Sequence, residues 1–428
     1  MADETDRSPS GKEKKFKTDG EANVEQDFFK KANKTPEWLN NEYIEKALRQ
    51  YEYDPNLQIT ACEIVPATKV GDNFASVIFR ANITYVTKGK TVTTTLIMKV
   101  ADSQKAFMQD VPLFQTEINI YLKVLPEMQR LLNQLGDKDI MFPKMIYHHI
   151  NPDIIILEDI ASKGYVMRHK PMNLENTKKV AERLAKFHAL SFYLYHEEKK
   201  ELDDFKFGLV TTATLDTMNF FADGFMRAVR CAKEWEGFAE IAEKMEKFGP
   251  HLMKKIRDVY IVDKSEGAFN VLNHGDFHIK NLLFINGEND DVQKVSFIDF
   301  QISVWGTPAI DLMYVLYVIA STEVRDNHAD ELIMLYHTKF CSILKQLGYL
   351  KKPPSLLNLN VELLKNGVLE IILSCQFMAM FYMAFESLTP EQMSDMELLS
   401  KKIYNESGMR PILEKLFVKF LHKGYFEV

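Results

Sequence analysis

A short break in an otherwise helical pattern constrains the fold of this chain most strongly. Two apolar runs, residues 281–285 and 295–298, flank a polar turn. A polar turn between two β-like runs predicts a β-hairpin. One end of this hairpin would display the segment from His274 to Asn281, and the other end would display Asp299.

The regions before and after this hairpin differ in their hydrophobic pattern. Residues 58–100 form short β-branched runs broken at glycine-containing turns, as expected for antiparallel hairpins. A helical stripe between residues 114 and 125 and a β-like run at residues 153–157 follow, and beyond Glu158 the pattern is mainly helical. The sequence therefore predicts an α+β protein with two lobes. The first would be an antiparallel sheet with a helix, and the second would be mainly helical and carry the hairpin.

Composition divides the chain into a tail and two lobes. Residues 1–34 mix charged and small polar residues with few large apolar ones, a composition that cannot offset the entropy of ordering. Thr35 and Pro36 then resemble the cap and the first position of a helix that opens the folded body. We therefore predict a disordered tail over residues 1–34, a first lobe over 35–157 that includes the leading helix, and a second lobe over 158–428.

Charge and cysteine content argue against several classes of protein. The net charge is −7 and no Lys/Arg-rich run occurs beyond the first residues, which argues against a nucleic-acid partner. The four cysteines form no Cys-x-x-Cys pair, which fits a reducing compartment. The N-terminal residues lack the apolar stretch of a secretory signal, and the apolar segment 371–385 is too short for a membrane span. We expect a cytoplasmic protein without a membrane span, and no feature implies a protein partner.

The segment around Asp276 carries the groups that phosphoryl transfer requires. His274-Gly275-Asp276 is followed by Asn281, and Asp299 emerges from the next apolar run. Phosphoryl transfer needs a carboxylate that orients the attacking hydroxyl and accepts its proton, and oxygen ligands that hold Mg2+ on the nucleotide phosphates. We expect Asp276 to be the base, and Asn281 and Asp299 to hold the metal. His274 is expected to orient the loop rather than to exchange protons.

The block from His274 to Asn281, together with Ile298-Asp299-Phe300-Gln301, resembles a known group of kinases. This group is the aminoglycoside phosphotransferase and choline kinase branch of the protein-kinase-like fold. More narrowly, the chain is similar to the ecdysteroid kinase-like (CHK kinase-like) family of insects. The resemblance implies a bilobal protein-kinase-like fold and a kinase that uses ATP and Mg2+. It also implies that the first lobe, residues 35–157, binds the nucleotide and that the second lobe, residues 158–428, is catalytic and binds the substrate. Four further segments carry it in the family's order: Pro36–Leu39, Gly71–Ser76, Leu157–Asp159 and Leu184–Ala189.

The resemblance also implies roles for residues of the first lobe. Lys99 matches the lysine that pairs with the nucleotide phosphates, and Glu117 matches its acidic partner. The simpler alternatives are a strand-end lysine in solvent for Lys99 and a solvated helix face for Glu117. The loop over the phosphates would use Gly71, Asn73 or Ser76.

Further supporting positions lie around and beyond the lobe boundary. Glu158 and Asp159 would form the hinge whose main-chain groups bind adenine, and Asp311 resembles the acidic residue that braces the catalytic loop through hydrogen bonds. His188 shares a helical stripe with apolar residues, so we interpret it as a hydrogen-bonded core histidine. For Lys280, contact with a phosphate and exposure to water both remain open.

The substrate is expected to be a small molecule rather than a protein. Protein kinases carry Arg at the position of Gly275 and a long segment with an Ala-Pro-Glu anchor after the metal-binding Asp. Here only residues 300–310 separate Asp299 from Asp311, which leaves little room for a peptide platform. The aromatic and methionine-rich run 377–385 either lines part of a substrate cavity or is ordinary helix core. Together with the family resemblance, it suggests an ecdysteroid or a similar lipophilic hydroxylated compound as the acceptor.

Two other functions are compatible with parts of the sequence. The first is an inactive kinase-like protein that binds a ligand without turnover, which the single glycine of the phosphate loop leaves open. The second is a metal-dependent hydrolase, because His274, Asp276 and His278 alternate on one face of an extended segment. Such a site would need further ligands, for which His251 and Asp299 are available.

Overall fold

The chain forms two compact units, which divide between Asp102 and Ser103. This division precedes the predicted lobe boundary at residue 157, and the predicted domain limits stay a prediction. Nearly all of the predicted tail, residues 1–33, lies outside the described residues. Within the described ranges, no helix combines the length and the apolar character needed to cross a bilayer. The computed structural model describes residues 34–67, 76–101, 112–208, 220–378, 396–406 and 408–428.

The first unit is a helix followed by three antiparallel strands. Strand β2 pairs with both β1 and β3, so the predicted antiparallel pairing is confirmed. Lys88 and Gly89 both have positive φ in the tight turn from β2 to β3, which suits the twist of a hairpin. Asp54 accepts the N–H of Lys88 at 2.9 Å and thereby ties this turn to the helix end. The elements are α1 (Asn41–Glu52), β1 (Gln58–Pro66), β2 (Ser76–Thr87) and β3 (Lys90–Ala101).

The first helix begins later than the sequence predicts. Asn40 is its N-cap, and the Asn40 side chain accepts a hydrogen bond from the N–H of Tyr43 at 3.1 Å. Pro36 instead lies in a turn that is closed by a bond of 2.9 Å from the Leu39 N–H to the Pro36 carbonyl. The prediction of a cap at Thr35 is therefore wrong, because Asn is at least as good a cap as Thr and stands closer to the helix.

The second unit begins with a helical stretch and a two-stranded hairpin. Helix α2 (Leu113–Asn119) continues through a π-helical turn into α3 (Leu125–Gln134). Strands β4 (Met145–His149) and β5 (Ile154–Glu158) pair antiparallel. The apolar residues of β5 are buried, which confirms the predicted buried strand.

Short strands surround the loop that carries the predicted site. Strands β8 and β9 pair antiparallel from Leu282, opposite Phe297, to Asn286, opposite Val292, which confirms the predicted hairpin. β6 lies beside β8, and β7 pairs with β10. These strands are β6 (Val166–Met167), β7 (Val271–Asn273), β8 (Leu282–Asn286), β9 (Val292–Phe297) and β10 (Val304–Gly306).

Helices form most of the second unit, as predicted. The long helix α4 (Leu174–His196) begins at the cap residue Asn173 and packs against β7, β9 and the helix Thr322–Gln346. Its ring at Phe187 lies 5.6 Å from the Phe297 ring and 6.0 Å from the Phe300 ring, so α4 is the core element beneath the hairpin. The helices that follow are α5 (Phe220–Lys233), α6 (Ala239–Val259), α7 (Ala309–Tyr314), α8 (Thr322–Gln346), α9 (Leu356–Lys365), α10 (Val368–Ile372), α11 (Met396–Lys401) and α12 (Met409–His422).

Candidate active site

The loop between β7 and β8 carries Asp276. Phe277 and Ile279 are buried, so apolar side chains anchor the loop in the second unit. The side chains of Asp276 and His278 keep 19% and 15% of their surface exposed. Buried apolar and partly exposed polar residues alternate along residues 276–279, so the side chains of Asp276 and His278 lie on the accessible face of the loop.

A buried carboxylate on α7 fixes the start of this loop. Asp311 accepts the His274 N–H at 2.6 Å on one oxygen and the Gly275 N–H at 2.9 Å on the other. The Asp311 N–H lies 3.4 Å from the side-chain oxygen of Asn273, to which it donates. These contacts hold two consecutive amides of the loop against α7, as the resemblance implies for a bracing residue.

His188 supports Asp311 from the core. Its Nε2 lies 3.1 Å from the carboxylate of Asp311, and its Nδ1 lies 2.7 Å from the hydroxyl of Tyr336. Burial lowers the pKa of His188, even though Asp311 acts in the opposite direction. A neutral imidazole here donates to Asp311 and accepts from Tyr336. The interpretation of His188 as a hydrogen-bonded core histidine is confirmed.

Asp276 is held on one oxygen. Its Oδ2 lies 3.2 Å from His278 Nε2 and accepts a bond of 3.2 Å from Asn281 Nδ2. Burial acts to raise the pKa of Asp276, but the charge and hydrogen bond of His278 outweigh it and lower the pKa below its ordinary value. Burial likewise acts to lower the pKa of His278, and Asp276 reverses that effect. The pair favours the carboxylate form of Asp276, and the Tyr314 phenol lies beside that carboxylate.

The two predicted metal ligands lie at the open end of the β8–β9 hairpin. Asn281 directly precedes β8, and Asp299 follows the end of β9. Asn281 Nδ2 also donates to the Asp276 carbonyl at 3.0 Å, which leaves Asn281 Oδ1 to serve as a ligand. The Ile298 N–H donates to the Asn281 carbonyl at 3.0 Å, so the backbone beside Asp299 is tied to the backbone of Asn281. A carboxamide oxygen and a carboxylate fit Mg2+, which prefers oxygen ligands and completes its shell with phosphates and water.

Asp299 adopts an unusual backbone conformation. Its φ is +69°, in the left-handed region of backbone conformation that residues other than glycine rarely adopt. The next residue, Phe300, is buried with its ring 5.0 Å from the His274 ring and 5.8 Å from the Tyr121 ring. His274 Nε2 in turn lies 2.8 Å from the Ile298 carbonyl. His274 and Phe300 therefore set the direction of the Asp299 side chain.

Gly275 is required by a close approach of two backbone segments. Its φ is +87°, and a Cβ placed on it would lie 2.1 Å from the carbonyl oxygen of Ile302. Any side chain here would collide with main chain, which cannot move aside as a flexible side chain does. An arginine at this position is thus incompatible with the observed loop.

A zinc centre of the kind considered for a hydrolase finds no support. His274 faces the Ile298 carbonyl, and His278 is paired with Asp276. Within the ranges that the structure describes, no three His, Cys, Asp or Glu side chains converge on one point.

A comparison with protein families places the region that contains this site. The model of the Ecdysteroid kinase-like family matches residues 70–349, more than half of the 428-residue chain. The chain belongs to the ecdysteroid kinase-like family. The family predicted from the sequence is therefore confirmed, and with it the α+β kinase-like fold class and the reaction class, a small-molecule phosphotransferase. No curated protein matches the chain.

Solved structures of other phosphotransferases show a distant likeness to this ecdysteroid kinase-like protein. A spectinomycin phosphotransferase in complex with ADP and spectinomycin has 11% identity and a TM-score of 0.37, over 87% of this chain and 96% of that chain. A macrolide 2′-phosphotransferase from Brachybacterium faecium has 10% identity and a TM-score of 0.34, over 85% of this chain and 98% of that chain. Likenesses this distant assign no substrate.

The predicted phosphate-binding residues of the ecdysteroid kinase-like protein lie in both units. Lys99 is 5% exposed on β3, and Glu117 is 1% exposed on α2. Their burial contradicts the simpler alternatives of a lysine in solvent and a solvated helix face, while their pairing stays a prediction. Ser76 is buried at the start of β2, and Gly71 and Asn73 lie outside the described residues.

The predicted hinge residues make local contacts. The Asp159 side chain accepts the Ala161 N–H at 3.0 Å and caps a 3₁₀ turn, and Glu158 forms an ion pair with Lys163. Contact of their main-chain groups with adenine stays a prediction. Lys280 is exposed, and its role remains open.

Sequence reasoning missed two tyrosines beside Asp276. Tyr314 ends α7, and Tyr260 follows α6. Burial, and in second or third place the charge of Asp276, raise the pKa of both phenols. Tyr314 lies three residues after Asp311 along a helix, which places both on one face, and this spacing is the signal that could have found it. Nothing in the sequence pattern pointed to Tyr260.

Proposed function

We propose that this protein is an ATP- and Mg2+-dependent kinase that transfers the terminal phosphate of ATP to a hydroxyl group of a small molecule. The observation that carries the proposal is the Asp276 carboxylate. His278 and Asn281 hold its Oδ2 at 3.2 Å each, and its side chain keeps 19% of its surface exposed. A carboxylate that is held in place and still accessible suits a hydroxyl group that must be oriented and deprotonated.

In the proposed reaction the acceptor hydroxyl donates a hydrogen bond to Asp276 Oδ1. The acceptor oxygen forms a bond to the γ-phosphorus while the bond from that phosphorus to the β-phosphate oxygen breaks. The hydroxyl proton passes to Asp276, which later releases it to water. The products are a phosphate ester and ADP. A weak base is sufficient, because proton transfer is late in a loose phosphoryl-transfer transition state.

Asn281 and Asp299 would hold Mg2+. When bound, the ion neutralises charge on the phosphates. The bond of 3.0 Å between the Ile298 N–H and the Asn281 carbonyl sets the two ligand positions relative to each other before the nucleotide arrives. Such preorganisation reduces the reorganisation that binding would otherwise require.

We assign nucleotide contacts in the proposed kinase on the family resemblance. Lys99 would bind the phosphates and pair with Glu117. Both residues are buried, which supports this proposal because Lys and Glu are rarely buried unless they are paired. The remaining proposed nucleotide contacts are Gly71, Asn73, Ser76, Glu158 and Asp159.

The geometry around Gly275 favours a small acceptor. The contact with the Ile302 carbonyl leaves no room for the arginine of protein kinases. The chain after Asp299 enters β10 at Val304 and α7 at Ala309, so it forms no extended peptide platform. We propose an ecdysteroid or a similar lipophilic hydroxylated compound as the acceptor, in line with the family to which the chain belongs.

A substrate screen tests the proposal. The protein is incubated with ATP, Mg2+ and single candidates from ecdysteroids, other hydroxylated lipophiles, choline and amino sugars, and products are detected by mass spectrometry. We expect a product that gains one phosphate from ATP. Binding of ATP without transfer to any candidate would favour the inactive kinase-like alternative.

Asp276→Asn isolates the role of the base. The carboxamide keeps the shape of the side chain but accepts no proton, so we expect transfer to fall at least about 10²-fold with ATP affinity preserved. Asp258→Asn, which changes an exposed carboxylate on α6, is the matched control and should retain wild-type rates. A wild-type rate in Asp276→Asn would refute the assignment.

A further inference from the structure

Helix α9 carries apolar residues on its outward face as well as on its inward face. Leu359 and Leu363 are buried and hold the helix against the core of the second unit. On the outward face, Leu357, Val361 and Leu364 are 71%, 51% and 56% exposed. Their spacing of four and three residues places them in one stripe along the helix. The outward face of α9 is therefore largely apolar.

The loop that leads from α8 into α9 adds a protruding leucine. Leu350 is 96% exposed in this loop. The Ser355 N–H donates to the side chain of Asn358 at 2.9 Å, and His337 of α8 lies 2.8 Å from the Pro354 carbonyl, so the junction of loop and helix is fixed. A single exposed apolar side chain is ordinary, whereas several close together mark an interaction site. We call the following residues the outer apolar surface: Leu350, Leu357, Val361 and Leu364.

Lysines border the outer apolar surface. Residues 345–365, all of which the structure describes, contain four lysines against one glutamate, a net charge of +3 in a chain whose net charge is −7. The glutamate is half-buried and the lysines are exposed. Glu197 forms an ion pair with Lys351 at 3.2 Å, and Lys365 lies near Asp263. The lysines are Lys345, Lys351, Lys352 and Lys365.

We propose that the outer apolar surface docks on an anionic phospholipid bilayer. The four apolar side chains would enter the boundary between headgroups and acyl chains, while the lysines would lie at the headgroup phosphates. Exposed apolar residues beside lysines on one helix are typical of helices that lie in the membrane interface. Each lysine close to an anionic leaflet adds attraction. Helix α9 would thus lie on the membrane without crossing it.

A second copy of the chain fits this surface less well. A two-fold interface would use the same surface on both copies and would bring lysines of like charge together. The exposure of Leu350 also favours lipid, because a lipid layer accepts a protruding side chain without a preformed pocket. Charge and shape therefore both favour the bilayer.

Co-sedimentation of the full chain with lipid vesicles tests the proposal. We expect binding to vesicles of phosphatidylcholine and phosphatidylserine at about 3:1, little binding to phosphatidylcholine alone, and weaker binding as NaCl is raised. Lys345→Ser combined with Lys352→Ser should lower binding to the mixed vesicles at least about tenfold. Lys46→Ser combined with Lys90→Ser changes the net charge equally at exposed lysines of the first unit and should bind as wild type does.

A second pair of double variants tests the apolar contribution. Leu357→Ser combined with Leu364→Ser should lower binding to the mixed vesicles at least about tenfold, because it removes apolar area that would enter the interface. Leu122→Ser combined with Ile150→Ser, at two residues that are each 49% exposed, is the matched control and should retain binding.

Three outcomes would overturn the proposal. They are a wild type that does not sediment with mixed vesicles, equal binding to both kinds of vesicle, and double variants at 345/352 or 357/364 that bind as well as their controls do. A dimer in light scattering that Leu357→Ser combined with Leu364→Ser dissociates, without vesicle binding by wild type, would show instead that the surface joins two copies. Phosphate transfer without vesicles should proceed at the wild-type rate in all four double variants, so the docking proposal and the proposed kinase function can fail separately.

Discussion

At the scale of single residues, the buried Asp311 carboxylate holds the start of the loop that carries Asp276. Each of its oxygens accepts one backbone N–H, from His274 and from Gly275, in a fully buried position. Hydrogen bonds to a buried charged group contribute more than neutral ones, and removing one partner leaves the other group unsatisfied. The loop that carries Asp276 therefore depends on a residue that would not itself touch a substrate.

Asp311→Asn should destabilise the protein by roughly 1–3 kcal/mol, because a carboxamide offers one acceptor oxygen and turns an N–H group toward the second amide. Urea unfolding measures the change, and transfer activity should fall with it. Asp330→Asn, on the exposed side of α8, is the control. Equal stability of the two variants would show that the brace contributes nothing.

His188 should make the stability of the protein sensitive to mild acid. Its pKa in the folded protein is lowered by burial, so the unfolded chain, with a pKa of about 6.5, binds the proton first as the pH falls. The stabilising effect of the neutral imidazole is thus present above about pH 6.5 and is lost progressively below it.

His188→Gln checks this pH dependence. The glutamine amide can donate to Asp311 and accept from Tyr336 as the neutral imidazole does, yet it does not titrate. Urea unfolding between about pH 7.5 and pH 5.5 should show a smaller loss of stability in the variant than in wild type. His328→Gln, at a histidine whose side chain keeps 40% of its surface exposed, is the control and should keep the wild-type slope. Identical slopes in all three proteins would contradict the assignment.

At the scale of elements, the β8–β9 hairpin joins the two predicted metal ligands. Leu282 and Phe297 pair at its base, and Asn281 and Asp299 lie just outside that pair. Phe300 then fixes the end of the hairpin by packing against His274. The left-handed backbone at Asp299 is tolerated because its neighbours on both sides are held.

Phe300→Leu tests whether Phe300 orients Asp299 in addition to stabilising the core. The smaller side chain leaves space beside His274, so we expect a loss of stability of about 1–3 kcal/mol and weaker binding of ATP in the presence of Mg2+. Calorimetric titration of MgATP measures the binding. Phe248→Leu, at a buried residue of α6, should lose similar stability but bind MgATP normally. Normal binding in Phe300→Leu would argue against its role in orienting Asp299.

At the scale of the whole molecule, nucleotide binding should stabilise the fold by mass action. A ligand present at 100 times its Kd adds about 2.7 kcal/mol, which raises the unfolding temperature. We expect this gain with ATP and Mg2+, and a much smaller gain when EDTA removes the metal. Asp299→Asn should lose most of the metal-dependent part. A metal-independent shift of equal size would refute the proposed Mg2+ ligands.

The sequence predicted the elements better than the contacts between them. Period and turn residues predicted the β8–β9 hairpin and the antiparallel pairing of β2, because these are properties of neighbouring residues. The contact between His188 and Asp311 joins residues far apart in the chain. Hydrophobic periodicity predicts which face of a helix is buried, but it does not predict which residue of another element packs against that face. The cap at Asn40 was missed because several capping residues stood close together.

The contact between Gly275 and the Ile302 carbonyl also bears on how the protein can be switched on and off. Many protein kinases wait for a phosphate on a separate loop, which an arginine beside the base then captures. A chain that has no room for that arginine cannot sense such a mark at this point. The Asp311 carboxylate already holds the two amides at the start of its loop, so the position of the loop does not depend on such a mark.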